Sequence, residues 1–287
     1  MQRPIDHIVH CVGDLAAARR FHQRLGFTLT PQAQHPFGTA NSLVQLQGGF
    51  LEFLAIGEPA AIPTAAPGEF SFAAYNADFL EKRRGVSMLV FASEDARRDH
   101  ADFLAKGLDT YAPFDFERRA RLPDGSEVTV GFSLAFVTHP AMPEAAFFVC
   151  QQHAPQYFWK TEYQRHANTA VAIAEIVMAA PEPAALAPFF AKLQGEESLG
   201  QDAEGLVVST GRGRIRVLGV AAARARFPEV ERPATPRFIG YRLELRDLAA
   251  AAAILEAEKV PYRELGGVLQ VAASENFGAA LEFAPAR

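Results

Sequence analysis

One strand-and-helix phrase recurs along the chain, and that repetition restricts the available architectures more than any single segment does. Near the start, IDHIVHCVGDLAAARRFHQRLGF reads as a strand over residues 5–12, an N-cap at Asp14 and an amphipathic helix stopped near Gly26. Ala18, Phe21 and Leu25 share one face of that helix. Two alternating stretches, 41–47 and 50–56, follow as strands around a Gly48-Gly49 turn. A shift of 168 residues lays Ile8 on Ile176, Val9 on Val177, Phe21 on Phe189 and Leu25 on Leu193. A further copy, FIGYRLELRDLAAAAAILEAEKV, sets Asp247-Leu248 on Asp14-Leu15 and closes with GAALEF, an echo of GGFLEF. The faintest copy, VSMLVFASEDARRDHADFLAKGL, leads into strands over Glu127–Thr138 and Ala146–Gln152.

Each unit of strand, helix and about three strands spans roughly 50–70 residues, too little to cover its own sheet. Pairing two units buries one sheet face under helices and curls the other into a cup. The 287 residues therefore predict an α+β protein with two cup-shaped half-barrel domains, 1–160 and 166–287, the break falling within 155–166. Residues 57–68, rich in Ala and Pro, and 224–236 read as loops.

Composition narrows the function classes. Hydrophobic residues make up 49% and charged residues 21%, an ordinary globular balance that excludes disorder as the main state. A net charge of −5 offers no basic field for nucleic acid. The most apolar stretch, 169–180, is short for a membrane span and carries Glu175, and the start MQRPIDHIVH lacks a secretory h-region. The expectation is a cytoplasmic protein in which Cys11 and Cys150 are reduced thiols. No G-x-S-x-G elbow, phosphate-binding Gly-Lys-Ser/Thr run or H-E-x-x-H occurs, and Gly211-Arg212-Gly213 lacks the strand–helix context of a dinucleotide loop. A nucleophilic Cys150 is conceivable but has no evident basic partner.

The fourfold order, headed by DHIVHCVGDLAAARRFHQRLGF, resembles the vicinal-oxygen-chelate superfamily of glyoxalase I, type I extradiol dioxygenases, and fosfomycin-resistance and bleomycin-binding proteins. The run HPFGTANSLVQLQGGFLEFLAI is similar to its glyoxalase-like domain branch. The resemblance implies four βαβββ modules and a ligand site inside a cup, while leaving the chemistry open. It also implies metal ligands on the first and last strands of a module. Carried over, the first-strand position is His7, then Ser87 or Leu89, then Glu175, then Gly240. The last-strand position is Glu52, then Phe148 or Cys150, then a residue near Val217, then Glu282. A divalent metal (Zn, Mn, Ni or Fe) held by His7 and Glu52 needs at least one more donor, and His153 is the candidate.

The residues themselves carry the same tension. His7 shares a strand face with Ile5, Val9 and Cys11, and Glu52 shares one with Phe50 and Leu54, so each needs a partner, either functional or structural. His10, on the opposite face, reads as a core histidine. Asn41, Gln45 and Gln47 give one strand a polar face, suited either to a polar ligand or to solvent. His35, Gly38, Thr39 and Asn41 crowd the entrance to that strand. The segment CQQHAPQYFWKTEYQRHAN gathers Gln151, Gln152, His153, Trp159, His166 and Asn168, as ligand groups or as a stapled linker.

Glu175 and Glu282 have no histidine partner, which makes the second cup the degenerate one. The basic stretch 118–121, with Arg83-Arg84, Arg97 and Arg98, reads as solvated surface unless it borders the cup. The resulting expectation is a small-molecule enzyme of isomerase, lyase or dioxygenase type, acting on vicinal oxygens. Glu52, His35 and Asn41 are its catalytic candidates. Thr39, Gln45, Gln151, His166 and Asn168 are candidates for substrate contact. The contrasting expectation is a non-catalytic binding or sequestering protein. A homodimer is an open assembly state in either case.

Overall fold

The computed structural model describes residues 2–121, 127–231 and 233–286. Its first half runs β1 (Ile5–Cys11), α1 (Leu15–Arg24), β2 (Ala33–Gln34), β3 (Thr39–Leu46) and β4 (Gly49–Ile56), then α2 (Phe72–Lys82). It continues with β5 (Gly85–Ala92), α3 (Ala96–Ala105), β6 (Asp109–Thr110), β7 (Phe114–Arg121), β8 (Glu127–Thr138) and β9 (Ala146–Gln152). After α4 (Pro155–Phe158), the second half runs β10 (Ala170–Ala180), α5 (Ala187–Gln194), β11 (Leu199–Asp202), β12 (Gly205–Ser209) and β13 (Arg214–Gly219). It closes with α6 (Val220–Arg226), β14 (Arg237–Leu245), α7 (Leu248–Ala257), β15 (Arg263–Leu265), β16 (Val268–Val271) and β17 (Ala280–Pro285).

The repeat is visible in the pairing. The first sheet orders as β2-β3-β4-β1-β5-β9-β8-β6 and the second as β11-β12-β13-β10-β14-β17-β16-β15, position for position. In each, the first strands of two modules pair antiparallel at the centre, and each first strand pairs parallel with the last strand of its own module. Asp14, Asp95 and Asp247 cap their helices as N-cap chemistry predicts, each carboxylate accepting a main-chain N–H of the first turn.

Strand alternation sends Ile8, Leu51, Leu89 and Ile176 to the helix-covered faces, where both halves share one apolar core with α1, α3, α5 and α7. Polar contacts stitch the halves. Asn168 donates to the Leu25 carbonyl at 2.8 Å, and Arg3 binds Asp99, Asp102 and the Leu193 carbonyl. Gly26 ends α1 at φ +83°, and an added Cβ would meet Asn168 N at 3.0 Å, so both conformation and space call for glycine. His10 sits in this core, its Nε2 on the Phe277 carbonyl at 3.1 Å, its pKa lowered to about 4 by burial.

The opposite faces form the cups, and the sequence reading missed what fills them. Between the two modules of each half a helix crosses the cup: α2 in the first half, and in the second α6, whose residues 224–226 had read as loop. Ser71 caps α2, and Asn76 on that helix accepts from Ser87 Oγ at 2.6 Å and Cys11 Sγ at 3.1 Å. The first half also gains β7, which extends the sheet by pairing with β8. No helix among the described residues is long and apolar enough to cross a membrane.

Candidate active site in the first cup

β1, β3 and β4 place three polar side chains on the floor of a cup that is otherwise phenyl-lined. Glu52 on β4 is 5% exposed. Its Oε1 accepts from Asn41 Nδ2 at 2.6 Å and lies 3.8 Å from His35 Nε2, while its Oε2 lies 3.7 Å from His7 Nε2. His7 Nδ1 donates to Asp6 Oδ2 at 2.7 Å, which turns Nε2 toward the Glu52 carboxyl. His35 is oriented from behind by Thr39, Nδ1 to Oγ1 at 2.8 Å, and its Nε2 receives the second amide hydrogen of Asn41 at 3.3 Å. The His7 ring stacks on Phe50 with centroids 4.1 Å apart, and His35 stacks on Phe37 at 4.9 Å.

Electrostatics follows from burial. Desolvation raises the Glu52 pKa, against the opposing pulls of His7, the Asn41 hydrogen bond and Arg118. Desolvation lowers His35 to about 3, helped by the charge of Arg118, so its imidazole is neutral across the ordinary pH range. The cavity above these groups has an atom-free volume of about 480 Å³, its mouth included. Arg118 lines it from β7, where Phe114, Phe116 and Arg118 alternate with outward residues. Burial holds the Arg118 guanidinium below its usual pKa and Glu52 is the charge that opposes this; among the described residues it has no hydrogen-bond or ion-pair partner.

Of the sequence candidates, His7, His35, Thr39, Asn41 and Glu52 converge here. His153 does not. It is exposed, with Nε2 on Ser133 Oγ at 2.8 Å, because β9 ends at Gln152 and the chain turns outward. Gln45 is buried under the cup but spends its amide on the chain, donating to the Phe158 carbonyl and accepting from Lys160 N. Gln47 lies past the end of β3, its N–H on the Val171 carbonyl. Gln151 accepts from Ala96 N at the start of α3 and donates to the Glu94 carbonyl. His166 bridges Thr28 N and the Gln45 carbonyl, and Asn168 joins the halves, so the connecting segment is a staple in which Trp159 packs edge-on to Phe50 and Phe158. Cys150 lines the cavity as a thiol, its pKa pushed well up by burial.

The basic stretch divides by strand alternation: Arg118 faces the cavity, Arg119 is exposed beside Glu127, and the side chain of Arg121 lies outside the described residues. Arg97 pairs with Asp115 and Arg83 with Glu144. Asp6 is the polar residue the sequence reading missed, while Arg118 meets the condition set for the basic stretch, that it border the cup. The legible signal for Arg118 was the period-2 pattern of Phe114, Phe116 and Arg118.

The carboxylates of the second cup are held by its own helix. Arg226 of α6 donates to Glu175 Oε1 at 2.7 Å and to both oxygens of Glu282, at 3.0 and 2.5 Å. Arg214 completes Glu175, and Arg242 with Gln270 completes Glu282. Burial raises both carboxyls, and the arginines more than offset it, leaving them below the usual range.

A metal centre of the kind the fold implies was tested against the donors. In the first sheet Val9 pairs with Glu52 and Val90 with Phe148, so the second module's last-strand position is a phenyl ring. On its first strand Ser87 bonds Asn76 and Leu89 faces the helices, while Met88 and Val90 face the cup. In the second sheet Val177 pairs with Arg216, so the third module's last-strand position is an arginine rather than Val217. Among the described residues no three His, Cys, Asp or Glu side chains are grouped to hold a metal ion. The residues present do not fit the implied centre.

Two sheets of paired modules, each curled around a cup, define a vicinal-oxygen-chelate fold. A family model described as a glyoxalase-like domain matches residues 5–194, and the chain belongs to that family. Three solved structures are similar over essentially the full chain. A hypothetical protein from Staphylococcus aureus matches at TM-score 0.70 and 12% identity, with 99% of each chain covered. A mutant 4-hydroxymandelate synthase from Streptomyces coelicolor matches at 0.57 and 9%, covering 98% of this chain and 92% of that one. The Mn(II)-bound glyoxalase from Novosphingobium aromaticivorans matches at 0.55 and 12%, covering 99% and 82%. At these identities the likeness concerns the fold. No curated protein matches the chain.

Proposed function

We propose that the first cup is the active site of a proton-transfer enzyme, of isomerase or lyase type, acting on a small anionic molecule with an apolar body. The observation that carries this reading is Glu52: a buried carboxyl with a raised pKa, between two imidazoles and an amide, beneath a cavity with one unpaired guanidinium. A raised carboxyl pKa brings proton uptake and release toward neutral pH, as acid–base catalysis requires. Arg118 suits a carboxylate or an oxygen that gains negative charge during reaction. The phenyl walls hold the rest of the molecule by area and exclude water, which strengthens every charge interaction inside.

In this mechanism Glu52 takes a proton from a carbon or hydroxyl next to the anionic group. The protonated carboxyl then donates to the His7 Nε2 lone pair, which holds that proton in place for return to a neighbouring atom. Asn41 and the neutral His35 keep the carboxyl oriented, and Asp6 fixes the His7 tautomer. The metal-assisted form of superfamily chemistry, on vicinal oxygens, finds two of its donors in His7 and Glu52 and lacks a third. No step above runs through a metal.

A non-catalytic, sequestering role is the second reading, favoured by the phenyl-rich lining. Incubation of the protein with 2-oxo and 2-hydroxy carboxylates bearing alkyl or aryl groups, in heavy water, separates the two. Loss of the exchangeable C–H NMR signal, at C2 of the hydroxy acids or C3 of the oxo acids, with wild type but not with Glu52→Gln supports the enzyme; tight binding without exchange supports sequestration.

A further inference from the structure

We infer that the substrate is elongated: an acid whose uncharged chain runs from the Glu52 cavity into a second chamber, with Phe37 and Phe72 as the partition that sets its length. This deepens the proposed function and rests on it. The second chamber lies against the first and has an atom-free volume of about 640 Å³, its mouth included. The rings of Phe37 and Phe72 line both spaces. They meet edge to face with centroids 5.8 Å apart, and Phe37 stands edge-on to Phe116 at 5.2 Å. No hydrogen bond fixes a phenyl ring, and the proposal requires these two to turn aside within their packing when a long ligand binds.

The outer chamber differs from the inner in what it offers a ligand. Pro63, Phe70, Ala112, Pro113 and Phe114 supply apolar surface, and among the described residues the one ionisable side chain on its wall is the acid Glu69. An anionic far end is repelled there, and a polar one loses water without a positive partner. A chain that continues as hydrocarbon gains from every methylene it buries. The two spaces therefore fit a molecule charged at one end only, its head at Arg118 and its tail past Phe37.

Isothermal titration with a homologous series of straight-chain alkanoates, from butanoate to dodecanoate, tests this on the intact protein. In wild type, affinity should rise about threefold to fourfold per methylene and keep rising after the inner cavity is full. Ala112→Trp and Ala65→Trp fill the outer chamber from exposed positions, so folding is spared. Each should leave the short acids unchanged and abolish the gain for the long ones, by tenfold or more for dodecanoate. A plateau at the short acids in wild type, no binding by the long acids, or an unchanged long-chain gain in both tryptophan variants overturns the proposal. Arg118→Met separates the two levels: if short acids bind it as well as wild type, the anionic-head reading fails, whatever the tail does.

Discussion

Replacing Glu52 by glutamine should stabilise the protein at neutral pH while abolishing proton transfer. In the folded chain the carboxylate accepts one strong hydrogen bond, from Asn41 at 2.6 Å, and its Oε2, 3.7 Å from His7 Nε2, lies beyond hydrogen-bond distance. With Glu52 ionised, a carboxylate with one hydrogen bond is held inside an apolar wall, where desolvation outweighs the pull of His7. Glutamine keeps an oxygen for Asn41 and has no charge to desolvate. An unmet buried acceptor costs ~1–3 kcal/mol, so E52Q should gain about that amount, which for a chain of this size is a rise in Tm of roughly 2–8 °C.

The pH dependence has a fixed sign. The folded pKa of Glu52 lies above its unfolded value, so its contribution to wild-type stability is intact below the ordinary glutamate range, near ~4.3, and is lost as pH rises through the folded pKa. Glutamine does not titrate. The Tm gap between E52Q and wild type should therefore be small near about pH 4, widen with rising pH and then level off. Calorimetric scans across that range measure it. A glutamine variant no more stable than wild type at about pH 8, or a gap that does not change with pH, refutes the argument that Glu52 is held against its own ionisation.

Arg226→Met should destabilise the second half by ~3 kcal/mol at neutral pH in urea unfolding. It strips a shared partner from two buried carboxylates, while Arg214 and Arg242 compensate in part. Glu175 and Glu282 have depressed folded pKa values, so that ion-pair stability is present above the unfolded range and lost as pH falls; the R226M penalty should shrink in acid. Arg118→Met should weaken binding of carboxylate ligands by at least about tenfold and leave the matching neutral amides unaffected, as titration calorimetry will read directly. Dialysis against a chelator should leave Tm and the heavy-water exchange activity unchanged. One equivalent of Zn, Mn, Ni or Fe that disappears in His7→Ala would restore the superfamily centre and overturn the metal-free reading.

The repeat made the paired sheets legible because each module must obey the same rules at the same places. An aspartate caps three of the helices at matching positions, and alternation assigns Ile8 and Val9 to opposite faces. His7, Glu52, His35, Thr39 and Asn41 were likewise legible, since polar residues on an otherwise apolar face need an explanation. What escaped was whatever breaks the repeat. Helices α2 and α6 lie between modules, at matching places in the two halves but outside the repeated phrase, and β7 carries enough charge to look like surface until its alternate residues are separated. His153 was misplaced because a one-residue turn past a strand end decides whether a side chain faces the cup. Gln45, Gln151, His166 and Asn168 were polar for the chain's own sake. Their partners are main-chain groups 2 to 143 positions away, and no local pattern encodes those.

Arg226 makes the second half a control experiment already present in the same molecule. There a guanidinium tethered to α6 rests permanently on the carboxylates that correspond to the working face of the first half. The first half has on its wall a guanidinium, Arg118, with no hydrogen-bond or ion-pair partner among the described residues, and a cavity above its carboxyl. Substitutions that empty one hollow and fill the other can therefore be compared in a single polypeptide, each half serving as the internal reference for its twin.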